Sequence, residues 1–381
     1  MVLKAIHLRN FRNHSDSFFE AGGSVNVFVG LNGEGKTNIL EAISFLCLTK
    51  GLYNSTDSSA VQIGKEGFTL DGQLLSGKDV AFDIRVEFNK TIPRKQTTVN
   101  KTKLDRLTDI VGRFPLVALS PEHGAITMGP PAERRKFVDG VISQANRSYL
   151  ETLLEYRRIL RHRNKLLLDR KFGSGGDPLE PWDNSLIQTG ARIVERRSAF
   201  LCEFEPYIRS AYAQFAGDQE LPALHYHPSV DIEKGDTAAS IEEKLRQALE
   251  EKAQEERRVA STLVGPHRDE IVLTLSGLEV RAYASQGQHK TFLVAMKIAE
   301  HRFLMERANE SPILLLDDVF SELDEERSKR VLELIQEIGQ TFITTVDDRV
   351  FGPGYEASMG YRRFVVKEGR VFASNAKALV N

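Results

Sequence analysis

The sequence predicts an α/β fold built on a parallel sheet, with an added antiparallel β-sheet and an inserted helical lobe. Three observations carry this. First, Val25-Asn26-Val27-Phe28-Val29 is an apolar, β-branched run of the buried-strand type. It leads directly into Gly30-Leu31-Asn32-Gly33-Glu34-Gly35-Lys36-Thr37, after which Ile39, Leu40, Ile43, Leu46 and Cys47 fall at helical spacing. Second, the run Ile313-Leu314-Leu315-Leu316, a helix with Val331, Leu332, Ile335 and Ile338, and the strand Phe342-Ile343-Thr344-Thr345-Val346 follow one another. Strand, helix, strand in this order requires parallel pairing. Third, residues 132–260 are long, charged and helical in spacing, with few strand signals.

In chain order, Leu3, Ile6, Leu8 and Phe18 predict two short strands before the glycine segment. From about 65 to 118 the pattern alternates, as in Ala81-Phe82-Asp83-Ile84-Arg85-Val86-Glu87-Phe88, with turns at Ser76-Gly77 and Ile92-Pro93; this predicts the antiparallel sheet. Tyr149, Leu153, Tyr156, Leu160 and Leu167 form a heptad-like seam that Arg163 interrupts. After the breaker Gly173-Ser174-Gly175-Gly176-Asp177-Pro178, a second helix carries Leu186, Ile187, Ile193, Val194, Leu201 and Phe204. Ser240 and Glu243 fit a capping box opening a further helix. Strands are expected at 270–275 and 278–283, then a helix from about His289 to Arg307, and a terminal hairpin turning at Glu368-Gly369. The expected division is 1–131, 132–260 and 261–381.

With 381 residues, 41% hydrophobic and 27% charged, the chain is too apolar for disorder and too polar for a membrane-embedded protein. Two cysteines, Cys47 and Cys202, exclude a disulfide framework; both read as core packing, and a reducing, cytoplasmic setting is expected. The amino terminus alternates apolar and polar residues and reads as a strand rather than a signal peptide. No stretch approaches the roughly 20 apolar residues of a membrane span. Lys+Arg 51 against Asp+Glu 53 leaves a net charge of -2, so a polyanion would have to be met by a local patch.

The segment 30–37 fits G-x-x-x-x-G-K-[ST] in the strand-to-helix context the motif needs. Backbone N–H groups of Gly30, Leu31, Asn32, Gly33, Glu34 and Gly35 can curl around phosphate oxygens, Lys36 can reach the terminal phosphates, and Thr37 can ligate Mg²⁺. Nucleotide hydrolysis also needs an acid at the carboxyl end of a neighbouring buried strand. Asp317 is assigned to the metal and Asp318 to the attacking water. The two motifs lie 280 positions apart, which implies a whole inserted lobe. Ser285-Gln286-Gly287-Gln288, ahead of a helix, stands between them.

The glycine loop, the SQGQ at 285–288, the acidic strand at 314–318 and Ser321-Glu322-Leu323-Asp324 together resemble an ABC-type ATPase head of the SMC-like class. Two more segments resemble signatures of the RecF family of bacterial recombinational repair proteins. One runs from Pro121-Glu122 through Gly129, Pro131, Arg134-Arg135 and Phe137 to Asp139; the other is Gly265-Pro266-His267-Arg268-Asp269. The likeness covers essentially the whole chain. It implies ATP and Mg²⁺ as cofactors, and an ATP-dependent homodimer in which Ser285, Gly287 and Gln288 of one copy touch the γ-phosphate held by another. It implies engagement of gapped single- and double-stranded DNA, RecR- and RecO-like partners, help in recombinase loading, no membrane, and weak, DNA-dependent ATP hydrolysis. Thr127 and Pro130 depart from the first signature. Thr344-Thr345-Val346-Asp347 stands where transporter heads carry a switch histidine, and Asp318 is one methylene shorter than the glutamate usual in such heads, which suggests slow turnover. Glu122 is the candidate for a glutamine-loop counterpart.

Arg157, Arg161 and Lys165 recur every four residues beside Arg158 and His162, and Arg134, Arg135, Lys136, Arg192, Arg196 and Arg197 add further positive charge. These could meet phosphates, although a solvated face explains most such runs, and the alternative for Arg134 and Arg135 is to order the loop beside the nucleotide. His267 reads as turn-stabilising rather than as a ligand. The rival functions are a scaffold with a vestigial site and the ATPase subunit of a transporter; an SMC-type head would need far longer arms than the insert allows.

Overall fold

The computed structural model describes residues 1–53, 56–171, 179–233, 235–322, 324–351 and 362–373. The 173–178 breaker and Leu323 lie outside them. The chain divides into two compact units, one of residues 1–124, 214–216 and 290–381, the other of residues 125–213 and 217–289. The second unit thus reaches beyond the expected 132–260 stretch at both ends.

The first unit holds two six-stranded sheets. One runs, in spatial order, Arg370–Ala373, Arg362–Lys367, Val25–Val29, Thr341–Thr345, Ile313–Asp317, Leu116–Leu119, and is parallel except for the hairpin at its edge. Every residue of Ile313–Asp317 and Thr341–Thr345 is buried, as expected of strands covered on both faces. Register aligns Asp317 with Thr344 and Thr345 with Val29. The carboxyl ends of the three central strands therefore share one edge, where open α/β sheets bind ligands. Leu116–Leu119, read with the antiparallel stretch, instead pairs parallel to Ile313–Leu316; three of its four residues are buried and it does not alternate.

The second sheet is antiparallel, ordered His14–Glu20, Val2–Phe11, Gly67–Leu75, Ala81–Asn89, Arg94–Val99, Thr102–Lys103. The helix Lys36–Leu48 shares a single core with both sheets, in which Phe11, Phe45 and Phe68 meet edge-on. Cys47 lies within it, and burial pushes its thiol up to about 12.

The second unit packs the helices Pro131–Ala145, Arg147–Lys171, Glu180–Ala216 and Ala238–Val259 with a three-stranded sheet. Its strand Pro222–His227, absent from the sequence reading, pairs along Glu270–Leu275. Leu278–Glu279 is a short strand, and Val280–Tyr283 is helical rather than extended. Thr237 caps the fourth helix, so Ser240 sits one turn inside, accepting the Thr237 N–H at 3.0 Å. On Arg147–Lys171 the buried seam is Tyr149, Leu153, Tyr156, Ile159, Arg163 and Leu167, with Ile159 in place of Leu160. Cys202 is exposed on Glu180–Ala216, which corrects its reading as core. Among the described residues no helix is long and apolar enough to cross a membrane.

Candidate nucleotide site

Val29 delivers the chain to the sheet edge, and residues 30–35 turn it into the helix Lys36–Leu48. Gly35 makes the turn at φ 109°, the left-handed region that favours glycine, and a Cβ there would also displace Asn13, whose Oδ1 lies 2.5 Å from its position. Leu31, Asn32 and Gly33 are exposed. Lys36 is buried, its Nζ donating to the Gly30 carbonyl at 2.7 Å and the Leu31 carbonyl at 2.9 Å. Burial lowers its pKa, while Asp318 and then Asp317 act to raise it.

The acidic strand arrives at the same place. Asp317 is buried, and its Oδ1 accepts from the Thr37 hydroxyl at 2.8 Å and the Thr344 hydroxyl at 2.7 Å. Its Oδ2 accepts from the Tyr53 hydroxyl. Burial, followed by this bond, raises the Tyr53 pKa, and the charge of Glu122 adds to it. Asp318 sits at φ 50°, its N–H donating to Thr344 Oγ1 at 3.0 Å. Its Oδ1 is buried with no hydrogen-bond partner. Such an atom is costly unless something completes it. Thr37, Asp317, Lys36 and Asp318 thus form one cluster, and Tyr53 and Thr344 join it without a local sequence signal for that role.

A set of hydroxyl and carboxylate oxygens fits Mg²⁺, which commonly takes one or two protein ligands and completes its shell with phosphate and water. Among the described residues no group of three or more His, Cys, Asp or Glu is arranged to hold a metal by itself. The donor set present therefore suits a metal brought in with a phosphate ligand.

Distant segments brace the loop. Asn13 Nδ2 donates to the Glu34 carbonyl at 3.0 Å, and His14 Nε2 lies 3.0 Å from the Gly35 carbonyl. His14 is fully buried, which lowers its pKa, so the neutral ring is the form that fits. At the far end, the hairpin turn Glu368-Gly369 has φ of 49° and 69°, the left-handed pair of a tight two-residue turn. Its N–H groups donate to Glu34, Gly369 at 3.0 Å to the carbonyl and Glu368 to the side chain.

Ser285, Gly287 and Gln288 belong to the second unit. Ser285 N–H donates to Gln288 Oε1 at 2.8 Å and Gln288 N–H to Ser285 Oγ at 3.2 Å, a reciprocal cap on the helix Gln286–Ala308. Ser285 is exposed, and Gln288 Nε2 donates to Glu220 at 2.7 Å.

The two signature segments meet through Arg197. Its guanidinium donates to Asp139 at 3.0 and 3.1 Å, to Asp269 at 3.0 Å and to the Pro266 carbonyl at 2.7 Å, fully inside the protein. Tyr149 adds a 2.6 Å bond to Asp139, and Ser229 N–H a 2.9 Å bond to Asp269. Arg134 is buried against Glu270 and the Gly129 carbonyl. Arg197 is thus structural, which corrects its place among the candidate phosphate contacts, and Arg134 orders the Gly129 loop instead of facing a phosphate. His267 Nδ1 accepts from Tyr156 at 2.6 Å and Nε2 donates to the Thr262 carbonyl at 3.1 Å; burial lowers it to about 4, and the ring is a neutral brace. Arg157, Arg158, Arg161 and Lys165 remain exposed along one helix.

The family model described as "RecF/RecN/SMC N terminal domain" matches residues 2–363. A DNA replication and repair protein RecF of Salinibacter ruber is 40% identical over 377 residues, covering 97% of this chain and 91% of that protein. The protein of that name from Moorella thermoacetica is 37% identical, covering 91% and 90%. A solved structure of the recombination mediator protein RecF-ATPrS in the RecFOR pathway superposes with a TM-score of 0.90 at 33% identity, covering 98% of each chain. The Smc head domain of Pyrococcus furiosus, at 15% identity and a TM-score of 0.57 over 98% and 96%, shares the fold alone. The chain belongs to the RecF family.

Proposed function

We propose that the chain is an ATP-binding protein of recombinational DNA repair that grips DNA as an ATP-dependent homodimer and hydrolyses ATP slowly. The observation that carries the reading is the 2.8 Å bond between Thr37 and Asp317, 280 residues apart, with Lys36 and Asp318 in the same cluster. A strand-to-helix glycine loop beside a buried acidic strand end is the arrangement that phosphoryl transfer requires. The similar solved structures include one of RecF-ATP in the RecFOR pathway, which supports the same ligand and RecO- and RecR-like partners here.

In this reading the N–H groups of 30–35 hold the phosphates, and Lys36 turns from the Gly30 and Leu31 carbonyls toward the terminal one. Thr37 and Asp317 would hold Mg²⁺, which when bound offsets phosphate charge. Thr344 and Tyr53 fix the Asp317 carboxylate, and the open oxygen of Asp318 accepts a hydrogen bond from the attacking water. Ser285, Gly287 and Gln288 of a second copy complete the γ-phosphate contacts. Only the triphosphate then joins two copies, and its loss releases them. Gapped DNA is the proposed substrate, in the cytoplasm, with recombinase loading as the outcome.

The test is a titration of gapped DNA with ATP, ADP or no nucleotide at two salt concentrations, beside sedimentation of native and Ser285→Arg protein. ATP should tighten DNA binding and shift the native chain to a dimer, and Ser285→Arg should bind ATP yet stay monomeric. Equal DNA affinity in all nucleotide states would identify a scaffold instead.

A further inference from the structure

The second unit contains a cleft of about 150 Å³ that the nucleotide site does not use. This is an order of magnitude more room than the roughly 10–15 Å³ that one water needs. Arg135, Lys136, Arg157 and Arg197 line it, with Asp139 as the one carboxylate among the lining residues. Asp139 is already held by both arms of Arg197 and by the Tyr149 hydroxyl, and Arg157 Nη2 stands 3.6 Å from its Oδ2. Lys136 and Arg157 stand exposed at the rim, Lys136 Nζ 3.6 Å from Glu133 in a solvated pair that a phosphate can displace, while Arg135 is half-buried. The Arg135 guanidinium donates to the Asp269 carbonyl, a neutral acceptor. Its burial, and then its neighbour Arg197, act against its charge. Tyr156 and His267 form part of the wall, but the hydroxyl and both ring nitrogens are engaged with each other and with Thr262. The chemistry on offer is therefore cationic donors on a rigid, largely buried wall.

We propose that this cleft binds a phosphate group, gripped by Arg135 from the wall and by Lys136 and Arg157 from the rim. Arginine's fork and lysine's point charge are the usual phosphate donors. The fixed Arg197 knot keeps Arg135 from collapsing onto a carboxylate. The phosphate can come from the end of a nucleic-acid strand or from a free phosphate compound, and the two are separable. The strand-end source rests on the proposed DNA-binding function; the free-phosphate source does not.

The test uses the full chain with its glycine loop saturated by a nonhydrolysable ATP analogue, and repeats it in Lys36→Ala. Lys136→Gln/Arg157→Gln removes the rim donors, and Arg161→Gln/Lys165→Gln removes the same amount of charge from the helix of Arg157, outside the cleft. Inorganic phosphate should stabilise the native and Arg161→Gln/Lys165→Gln proteins against heat, but not the rim variant. If a strand end is the source, a duplex with a recessed 5′-phosphate should bind about tenfold tighter than its 5′-hydroxyl counterpart, with that preference lost only in the rim variant. If the two duplexes bind alike, or neither binds, while the phosphate response still depends on the rim, the source is a free phosphate. In the case of no binding, the DNA reading fails and the cleft stands. An equal response of the rim variant and native protein to inorganic phosphate overturns the proposal.

Discussion

Two clusters of buried charge behave oppositely. Around Arg197, each Asp139 and Asp269 oxygen has a donor, and the guanidinium donates to both carboxylates and a carbonyl. Around Asp317, the partners are neutral hydroxyls, the nearby ammonium of Lys36 rests on carbonyls, and one Asp318 oxygen has no partner. The first cluster is complete without a ligand; the second is not. Satisfied ionic groups hold a fold together, and unsatisfied ones at a strand end mark where a ligand belongs.

Breaking the complete cluster should cost most. Arg197→Met leaves two carboxylates without their cation and should lower stability by about 3–5 kcal/mol in urea unfolding. Lys36→Met should change stability by less than about 1 kcal/mol, because the cost of burying the cation offsets its bonds to carbonyls and its attraction to Asp318 and Asp317. If the two substitutions cost the same, the distinction between the clusters is lost.

Acid sharpens the comparison next. His267, and His301 buried on the helix Gln286–Ala308 with Nε2 donating to the Pro312 carbonyl at 3.1 Å, are lowered to about 4, by burial first, so the folded state binds fewer protons than the unfolded chain. Their contribution is complete above about pH 6.5 and is lost as pH falls from there toward 4, by at most about 3 kcal/mol each. Unfolding followed between pH 7 and 4 should show this slope, and His267→Gln should reduce it, leaving the share of His301 and His14.

On the ligand side, Lys36→Met should weaken ATP binding by roughly 10- to 100-fold in a fluorescence titration, the loss of one or two charged hydrogen bonds. The smallest effect concerns Tyr53. Tyr53→Phe removes one hydroxyl from Asp317 and should cost about 1 kcal/mol without nucleotide. Thermal melts with and without ATP and Mg²⁺ would show whether a metal makes up that loss; a larger cost with ligand would mean that Tyr53 belongs to the bound state.

The glycine loop, the acidic strand and the parallel pairing are legible because each is written in a short window, as periodicity or as a fixed spacing; the strand order is not. Nor are Tyr53, Thr344 and the bracing by Asn13, His14 and Glu368-Gly369. Their roles exist only once strands hundreds of residues apart align. Arg197 shows the same limit from the other side. In sequence it is one cation in a basic run, and its counterions stand 58 and 72 residues away. Leu116–Leu119 directly follows the alternating stretch in sequence, and only its lack of alternation points to the parallel sheet.

The brace between Glu34 and the Glu368-Gly369 turn also fixes when the pocket can exist during synthesis. A growing chain that has passed Leu48 holds the loop and its helix, but has neither Asp317 nor the turn that pins Glu34 from the other side. Nucleotide therefore meets the braced pocket only once residue 369 has been made, and fragments cut short before it would lack the brace.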